Sequence, residues 1–339
     1  MLKSSPKLFT ILTRPSFASP HTIGADEVAG GQFPGQPYPT PMDEYKSLIL
    51  QINVPLSFLQ PDSVREKLPV LLYIHGGGFV LGKIDLQHNT AYMVEQSILD
   101  DQPVIGASIQ YRVGPLGFLY TSEGERNFGF YDQRNALLWI QKFVTGFGGA
   151  KENVTVFGES AGAMSICYHI LAKAPETGPL FKRAVLMSGS IAPSMAPYTL
   201  PEADKVYENL LETLNIEERG ETGLEELRAL DVQKIVEACS EIIKTGGQFS
   251  FVEDSNWFGH EESVTWDRLP ELIGKCEWID EIVLGTTGFE VPLHYLSFLN
   301  IHTKQHRVPC SCHLSPSSPP PISQRPYPLN SAPRMLPLS

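Results

Sequence analysis

Two short motifs in this chain combine residue types that could do chemistry on a carbonyl group. Residues 158–162 read GESAG and place Ser160 between two glycines, and residues 75–79, upstream, read HGGGF. A G-x-S-x-G between a strand and a helix is the pattern of an exposed nucleophilic serine, and an upstream H-G-G-G supplies backbone donors for an oxyanion. Together the motifs predict acyl transfer with Ser160 as the nucleophile.

The segments around both motifs favour the elements that would position them. Residues 153–157 (NVTVF) predict a strand and residues 161–173 predict a helix. Residues 69–74 (PVLLYI) form a continuous apolar run, which predicts a strand buried on both faces. A helix that begins at Ser160 would point its first amides toward developing negative charge.

The glycines of both motifs have specific expected tasks. Gly158 and Gly162 would allow Ser160 to adopt a strained positive φ at a tight turn. The amides of Gly77, Gly78 and Ala161 would hold the oxyanion of a tetrahedral intermediate. The alternative for the HGGGF segment, a flexible or phosphate-binding loop, lacks the G-K-[ST] and G-x-G-x-x-G spacings.

Further strings extend the pattern over most of the chain: SIQYRVGPLGFL (108–119), NFGFYDQRNAL (127–137), FGG (147–149) and FKRAVLMSGS (181–190). With the two motifs, they make residues 43–290 resemble the type B carboxylesterases, the α/β-hydrolase family that includes cholinesterases and several fungal lipases. The resemblance implies an α/β fold with a mostly parallel central sheet and helices on both faces.

The resemblance also implies an acidic partner for the catalytic base. The family's glutamate follows a strand and a glycine, and residues 282–290 (IVLGTTGFE) match with Glu290, although Val291 replaces the family's next glycine. Alternatively, Glu290 is an ordinary surface carboxylate. Glu159 matches a family residue that assists through buried hydrogen bonding, and its alternative role is packing at the turn.

A catalytic histidine is not identified. The family places it far beyond the acid in a Gly-His loop, whereas the histidines downstream here, none in that context, are His294, His302, His306 and His313. His75 belongs to the oxyanion loop, and His169, in the helix after the serine, is expected to be packed. The triad is therefore incomplete as written. We expect a fold that lacks its C-terminal portion and a chain with impaired activity.

The expected organisation has three parts. Residues 1–42 form an N-terminal extension, residues 43–300 the incomplete carboxylesterase domain, and residues 301–339 a Pro/Ser-rich tail that is disordered or out of frame. Leu48, Leu50 and Ile52 alternate as in a strand near the start of the domain. Residues 202–214 and 232–243 have the 3.6-residue apolar period of helices.

Charge and cysteine usage restrict the partners. A net charge of −12 argues against nucleic acid and anionic membranes, and no long hydrophobic span is present. Residues 310–313 (CSCH) lack a second ligand pair for zinc, so no metal or cofactor is expected. The five cysteines have no framework spacing and the family's early disulfide motif is missing, which favours a cytoplasmic location.

Two functions from different classes are compatible with these patterns. The first is a serine hydrolase that cleaves small-molecule carboxylic esters through an acyl-enzyme. The second is a catalytically inactive homologue that acts as a binding or adhesion module, like the neuroligin branch of the same fold. Ser160 together with the oxyanion glycines favours the enzyme.

Overall fold

The computed structural model describes residues 8–12, 19–21, 42–59, 66–84, 88–191, 196–258 and 264–287. The strands in these ranges are β1 (Leu8–Leu12), β2 (Leu50–Pro55), β3 (Leu68–Ile74), β4 (Ile105–Ile109), β5 (Gly149–Glu159), β6 (Arg183–Met187) and β7 (Glu281–Gly285). The α-helices there are α1 (Ala91–Leu99), α2 (Pro115–Phe118), α3 (Phe128–Phe143), α4 (Ala161–Leu171), α5 (Leu200–Thr213), α6 (Gly220–Ala229), α7 (Val232–Lys244), α8 (Ser255–Phe258) and α9 (Leu269–Gly274).

The chain divides into two compact units, Met1–Thr286 and Thr287–Ser339, and every strand and helix above belongs to the first. Glu290, the boundary at residue 300 and the tail 301–339 lie outside the described residues. The domain limits inferred from the sequence therefore stay predictions.

The strands form one mixed sheet in the order β1-β2-β4-β3-β5-β6-β7. β1 and β2 pair antiparallel, as do β2 and β4, whereas β4, β3, β5, β6 and β7 run parallel. Parallel neighbours require crossover connections, and helices supply them here. This mostly parallel sheet with helices confirms the predicted fold class.

The central strands and the helix after the serine form the core. Residues 72–74 of β3 are all buried, so both faces of this strand end are covered, as predicted. Every residue of α4 is buried. The alternation proposed from Leu48 is wrong, because Leu48 is 41% exposed and β2 begins at Leu50 with all six residues buried. Helix α1 packs against β2, and a strand loses the alternation of exposed and buried residues when both faces of the sheet are covered.

The two helices predicted from apolar period are α5 and α7. A capping box of Thr199 and Glu202 begins α5, and the Asp231 side chain accepts a hydrogen bond from the Gln233 amide at the start of α7. The apolar stripe of α7 is buried at Ile235, Val236, Ala238, Cys239 and Ile242.

Among the described strands, β7 forms one edge of the sheet, and it exposes apolar side chains. Val283 is 47% exposed and Leu284 is 70% exposed. A hydrophobic edge strand can pair with another chain, because its outer backbone groups offer hydrogen bonds. In the described part of the chain, no helix is long and apolar enough to cross a membrane.

We expect Leu284→Lys to reduce self-association of the protein, because a lysine on an edge strand opposes strand pairing with a second molecule. Light scattering after size-exclusion chromatography, over a range of protein concentrations, measures the effect. Leu48→Lys, which changes an exposed leucine away from the edge, is the matched control. Equal self-association of wild type and Leu284→Lys would contradict the prediction.

Candidate active site

Ser160 occupies the strained turn that the sequence predicts. Its backbone lies at φ 54° and ψ −121°, between the end of β5 and the start of α4. The Ser160 amide donates to the Met187 carbonyl of β6 at 2.9 Å, and its carbonyl accepts from the Met164 amide at 3.0 Å. These bonds hold the half-buried serine at the carboxyl edge of the parallel strands, where such folds place their sites.

The turn is possible because two glycines lie against the end of β3. A methyl group on Gly162 would overlap the Ile74 carbonyl oxygen, and one on Gly158 would lie 2.8 Å from that oxygen. Ile74 pairs with Gly158 across the β3–β5 ladder. The spacing G-x-S-x-G is therefore required by the close approach of two backbones and by the positive φ of Ser160.

The oxyanion loop begins directly after Ile74 and folds back on itself. Gly77 and Gly78 have φ values of 111° and 59°, and the Gly77 carbonyl accepts from the amides of Val80 and Leu81 at 3.0 and 3.1 Å. A methyl group on Gly76 would lie 2.5 Å from the Glu159 carbonyl oxygen. The loop and the serine turn are thus in direct contact.

A buried aromatic residue anchors the far end of this loop. Phe79 is fully buried despite a φ of 63°, and its ring packs 4.9 Å from that of Phe118 and 5.5 Å from that of Phe130. The Phe79 carbonyl also accepts from the Gly114 amide at 2.6 Å. Surrounding contacts of this kind maintain a non-glycine residue in a left-handed conformation.

His75 is a structural residue in its neutral form. Its Nδ1 lies 2.9 Å from the Gly76 carbonyl oxygen, its Nε2 lies 3.1 Å from Gln110 Nε2, and its ring stacks on Tyr111 at 4.1 Å. Gln110 Oε1 accepts from the Ile84 amide, so Gln110 Nε2 is the donor and His75 carries its proton on Nδ1. Burial lowers the pKa of His75 to about 3. This imidazole orders the loop and cannot serve Ser160 as a base.

The three proposed oxyanion donors are adjacent to the nucleophile in the structure. In residues 66–84 and 88–191 the amides of Gly77, Gly78 and Ala161 donate to no protein acceptor, which leaves them open to a ligand oxygen. Within the same described ranges the Ser160 hydroxyl has no hydrogen-bond partner. The arrangement contains a nucleophile and donors but, over the residues described, no base.

Glu290 and Glu159 are the two remaining residues that the sequence analysis assigned to the site. Glu290 lies outside the described residues, so its role as the acid stays a prediction. Glu159 is exposed at the end of β5. Its carboxylate contributes, after burial, to the raised pKa of Tyr73. The role of Glu159, buried hydrogen bonding or packing at the turn, stays a prediction.

A buried polar chain lies behind the serine turn. His169 Nε2 donates to Gln133 Oε1 at 2.9 Å, Gln133 Nε2 donates to Ser165 Oγ at 3.1 Å, and Ser165 Oγ donates to the Ala161 carbonyl at 2.9 Å. The chain connects α3 to the first residue of α4. Burial lowers the pKa of His169 to about 3, so this histidine is neutral and packed, as the sequence suggested.

Sequence reasoning missed the residues that hold the oxyanion loop from behind. Gln110 and Tyr111 were noticed only as part of a family string, yet the Tyr111 hydroxyl donates to the His75 carbonyl at 2.7 Å. The available signal was the polar pair Gln-Tyr directly after an apolar strand. Strand ends of this sort place polar groups at the edge where sites form.

Other chemistry has little support in the described ranges. No group of three His, Cys, Asp or Glu side chains there could hold a metal ion. Cys167, Cys239 and Cys276 are free thiols. The CSCH segment, residues 310–313, lies outside the described residues.

A strained serine between a parallel strand and a helix, with a glycine loop on the neighbouring strand, defines the class of α/β-hydrolases. The model of the carboxylesterase family matches residues 28–262. The chain belongs to the carboxylesterase family.

Similar proteins agree with this assignment. Lipase 4 of Diutina rugosa is 32% identical over 268 residues, which are 75% of this chain and 47% of the lipase. Lipase 2 of Geotrichum candidum is 42% identical over 142 residues, 40% of this chain and 24% of that lipase. A thermophilic PNB esterase shares the fold with a TM-score of 0.65 and 24% identity, over 87% of this chain and 55% of that esterase. The chain spans about half the length of the first of these lipases.

We expect Ser160→Gly to raise the free energy of unfolding by about 1 kcal/mol, because relief of a strained φ outweighs the added entropy of glycine. Ser160→Ala keeps the Cβ atom and should leave stability unchanged. Urea unfolding followed by circular dichroism measures both variants. A stabilisation as large in the alanine variant would show that the hydroxyl, rather than the backbone, is the source of the strain.

The buried His169 predicts a pH dependence of stability. Its ordinary pKa of 6.5 in the unfolded chain falls to about 3 in the folded chain, so between these values the unfolded state binds the extra proton. Stability attributable to His169 is present above pH 6.5 and decreases by about 1.4 kcal/mol per pH unit as the pH falls toward 3.

His169→Gln keeps an N–H donor for Gln133 but removes this titration. The free energies of unfolding of the variant and the wild type should therefore converge by about 1.4 kcal/mol per unit below pH 6. Urea unfolding at pH 7, 6 and 5 measures the convergence. His75 titrates in both proteins and cancels from the comparison, and parallel pH profiles would contradict the prediction.

Proposed function

We propose that this chain carries the nucleophile and oxyanion hole of a carboxylic ester hydrolase. The observation that supports the proposal is the strained Ser160 next to the open amides of Gly77, Gly78 and Ala161. Relatives named as lipases make carboxylic esters the substrate class. A small-molecule ester is the only partner that the proposal needs.

In the proposed reaction Ser160 Oγ attacks the ester carbonyl carbon and its proton passes to a base. The carbonyl oxygen becomes an oxyanion that accepts hydrogen bonds from the three amides, each contributing about 2.7–4 kcal/mol when preorganised. The C–O bond then breaks, and the alcohol leaves with the proton. Water attacks the acyl-enzyme by the same route and releases the acid.

The described residues include neither the base nor its acidic partner. We propose Glu290 as the acid, because it follows the end of β7 by five residues and β7 ends at the same sheet edge as β5 and β6. No described histidine contacts Ser160. A serine without a base is a weak nucleophile, so we propose that the 339-residue chain by itself is impaired.

The test uses two proteins: the chain itself, and residues 1–290 joined to the C-terminal half of the Diutina rugosa lipase. In the chain, hydrolysis of p-nitrophenyl butyrate should be slow and unchanged by Ser160→Ala, and a fluorophosphonate should not label Ser160. In the joined protein, Ser160→Ala should lower kcat by about 10³-fold or more. Glu290→Gln should lower kcat there with little change in KM, because the imidazolium it stabilises forms only during reaction.

Each arm can refute a different part of the proposal. Stoichiometric labelling of Ser160 in the chain would show that His294, His302 or His306 supplies the base. A joined protein with native-like circular dichroism but equal activity with serine or alanine at position 160 would reject the enzyme and favour the binding module. The matched control is Ser122→Ala, which removes an exposed serine hydroxyl outside the serine turn and the polar chain behind it.

A further inference from the structure

The first turn of helix α4 carries one of the proposed oxyanion donors, the amide of Ala161. In residues 66–84 and 88–191 this amide donates to no protein acceptor. Gly162 follows it, and a glycine loses more conformational freedom on folding than any other residue. The direction of the Ala161 amide therefore depends on contacts that restrain this turn from outside its own backbone.

Such a contact comes from the side chain of Ser165. Its Oγ donates to the Ala161 carbonyl at 2.9 Å, and both residues are fully buried. The same carbonyl accepts the Ser165 amide in the ordinary helical pattern, so residue 165 holds it with two donors. Because the carbonyl and the amide of Ala161 belong to one residue, a restraint on the carbonyl limits rotation of the amide.

Gln133 of helix α3 sets the direction of the Ser165 hydroxyl. Gln133 Nε2 donates to Ser165 Oγ at 3.1 Å, which leaves the hydroxyl proton for the Ala161 carbonyl. His169 Nε2 in turn donates to Gln133 Oε1 at 2.9 Å. If the Gln133 amide turned over, its oxygen would compete for the Ser165 proton and the bond from His169 would be lost. The chain of bonds therefore favours the direction that ends on Ala161.

Burial makes this chain of hydrogen bonds difficult to rearrange. The exposed fraction is 0% for Gln133 and Ser165 and 2% for His169. Hydrogen bonds are stronger in such surroundings, and an unpaired polar group there is costly. Over the described residues His169 Nδ1 is buried without a hydrogen-bond partner, so the chain ends at this ring. Its other end is the residue that carries the oxyanion donor.

We propose that Ser165 is a positioning residue for the Ala161 amide and that Gln133 fixes the direction of the Ser165 hydroxyl. The inference rests on the proposed function, because it requires the Ala161 amide to bind the oxyanion. It gives helix α3, which contains none of the candidate site residues, a part in transition-state binding. Both residues act through Ala161.

Steady-state hydrolysis of p-nitrophenyl butyrate by the joined protein tests the effect on chemistry. Removal of a whole oxyanion donor lowers kcat by about 10²–10³-fold, so a donor that is displaced rather than removed should cost about tenfold. We expect Ser165→Ala to lower kcat by about tenfold with KM unchanged, because the oxyanion forms only during reaction. Gln133→Leu keeps the hydroxyl but removes the donor that orients it, and should lower kcat by about threefold.

Cys167→Ala is the matched control for a purely structural effect. Like Ser165→Ala, it removes one heavy atom from a buried side chain of α4, but it lies outside the chain of hydrogen bonds. Urea unfolding measures the stability of both variants, and Cys167→Ala should keep the wild-type kcat. Equal kcat for Ser165→Ala and Cys167→Ala, with Ser160→Ala inactive, would overturn the inference alone. Unchanged kcat for Ser160→Ala would reject the proposed function, and the inference with it.

Hydrogen exchange in the 339-residue chain tests the same contact without catalysis. The Met164 amide donates to the Ser160 carbonyl at 3.0 Å, so its exchange reports opening of the first turn of α4. Ser165→Ala should speed this exchange by about tenfold and leave the amides of residues 168–171 unchanged. Cys167→Ala should leave the Met164 rate at its wild-type value. A Met164 amide that is equally protected in Ser165→Ala, or faster exchange along the whole helix, would contradict the inference.

Discussion

The contact between the serine turn and the end of β3 is the constraint on which the site depends. The Ile74 carbonyl oxygen lies where a side chain at Gly158 or Gly162 would have to be. Because the oxyanion loop starts one residue after Ile74, the same contact sets the separation between nucleophile and oxyanion donors. A larger residue at either glycine would separate the two halves of the site, even if each half kept its own conformation.

The histidines behind the site carry no charge, and in the described residues only His169 Nδ1 of the two rings is buried without a hydrogen-bond partner. His75 and His169 are both neutral, each bonded to a glutamine amide whose own orientation is fixed by another partner. A buried charge so close to the oxyanion loop would be costly and would alter the field that a developing oxyanion experiences. Neutral networks avoid both effects while they order the loop and the start of α4.

The sequence predicted the elements that have a long apolar pattern and the turn that requires a positive φ. The strand before Ser160, helix α4 and the positive φ of Ser160 follow from apolar runs and glycine spacing. β1 was missed, because a five-residue stretch of four apolar residues and Thr10, far from the motifs, gave no sign that it would pair with β2. The burial of all of β2 was missed as well, because alternation describes a strand with one exposed face, whereas the side chains of β2 are buried on both faces.

The candidate site was predictable for its backbone donors and less so for its side chains. Glycines at fixed spacing indicate backbone amides that approach a ligand closely. The packing of Phe79, Gln110 and Tyr111 against the oxyanion loop was not predictable, because it arises only when segments distant in sequence meet. For Glu159 the resemblance implied either buried hydrogen bonding or packing at the turn, and the residue is exposed at the end of β5. The local sequence pattern therefore predicts the backbone conformation of a residue, whereas tertiary packing decides how buried its side chain is.

The order of the strands along the chain has a consequence for biosynthesis. β3, β4, β5 and β6, with the oxyanion loop and the serine turn, all lie between Leu68 and Met187, whereas β7 begins only at Glu281. A ribosome adds about 5–20 residues per second, so the four central strands emerge several seconds before their last parallel partner. The nascent chain can thus assemble the nucleophile and its oxyanion donors while β6 is still a sheet edge. Until β7 pairs with it, that edge offers unpaired backbone groups to other chains and to chaperones.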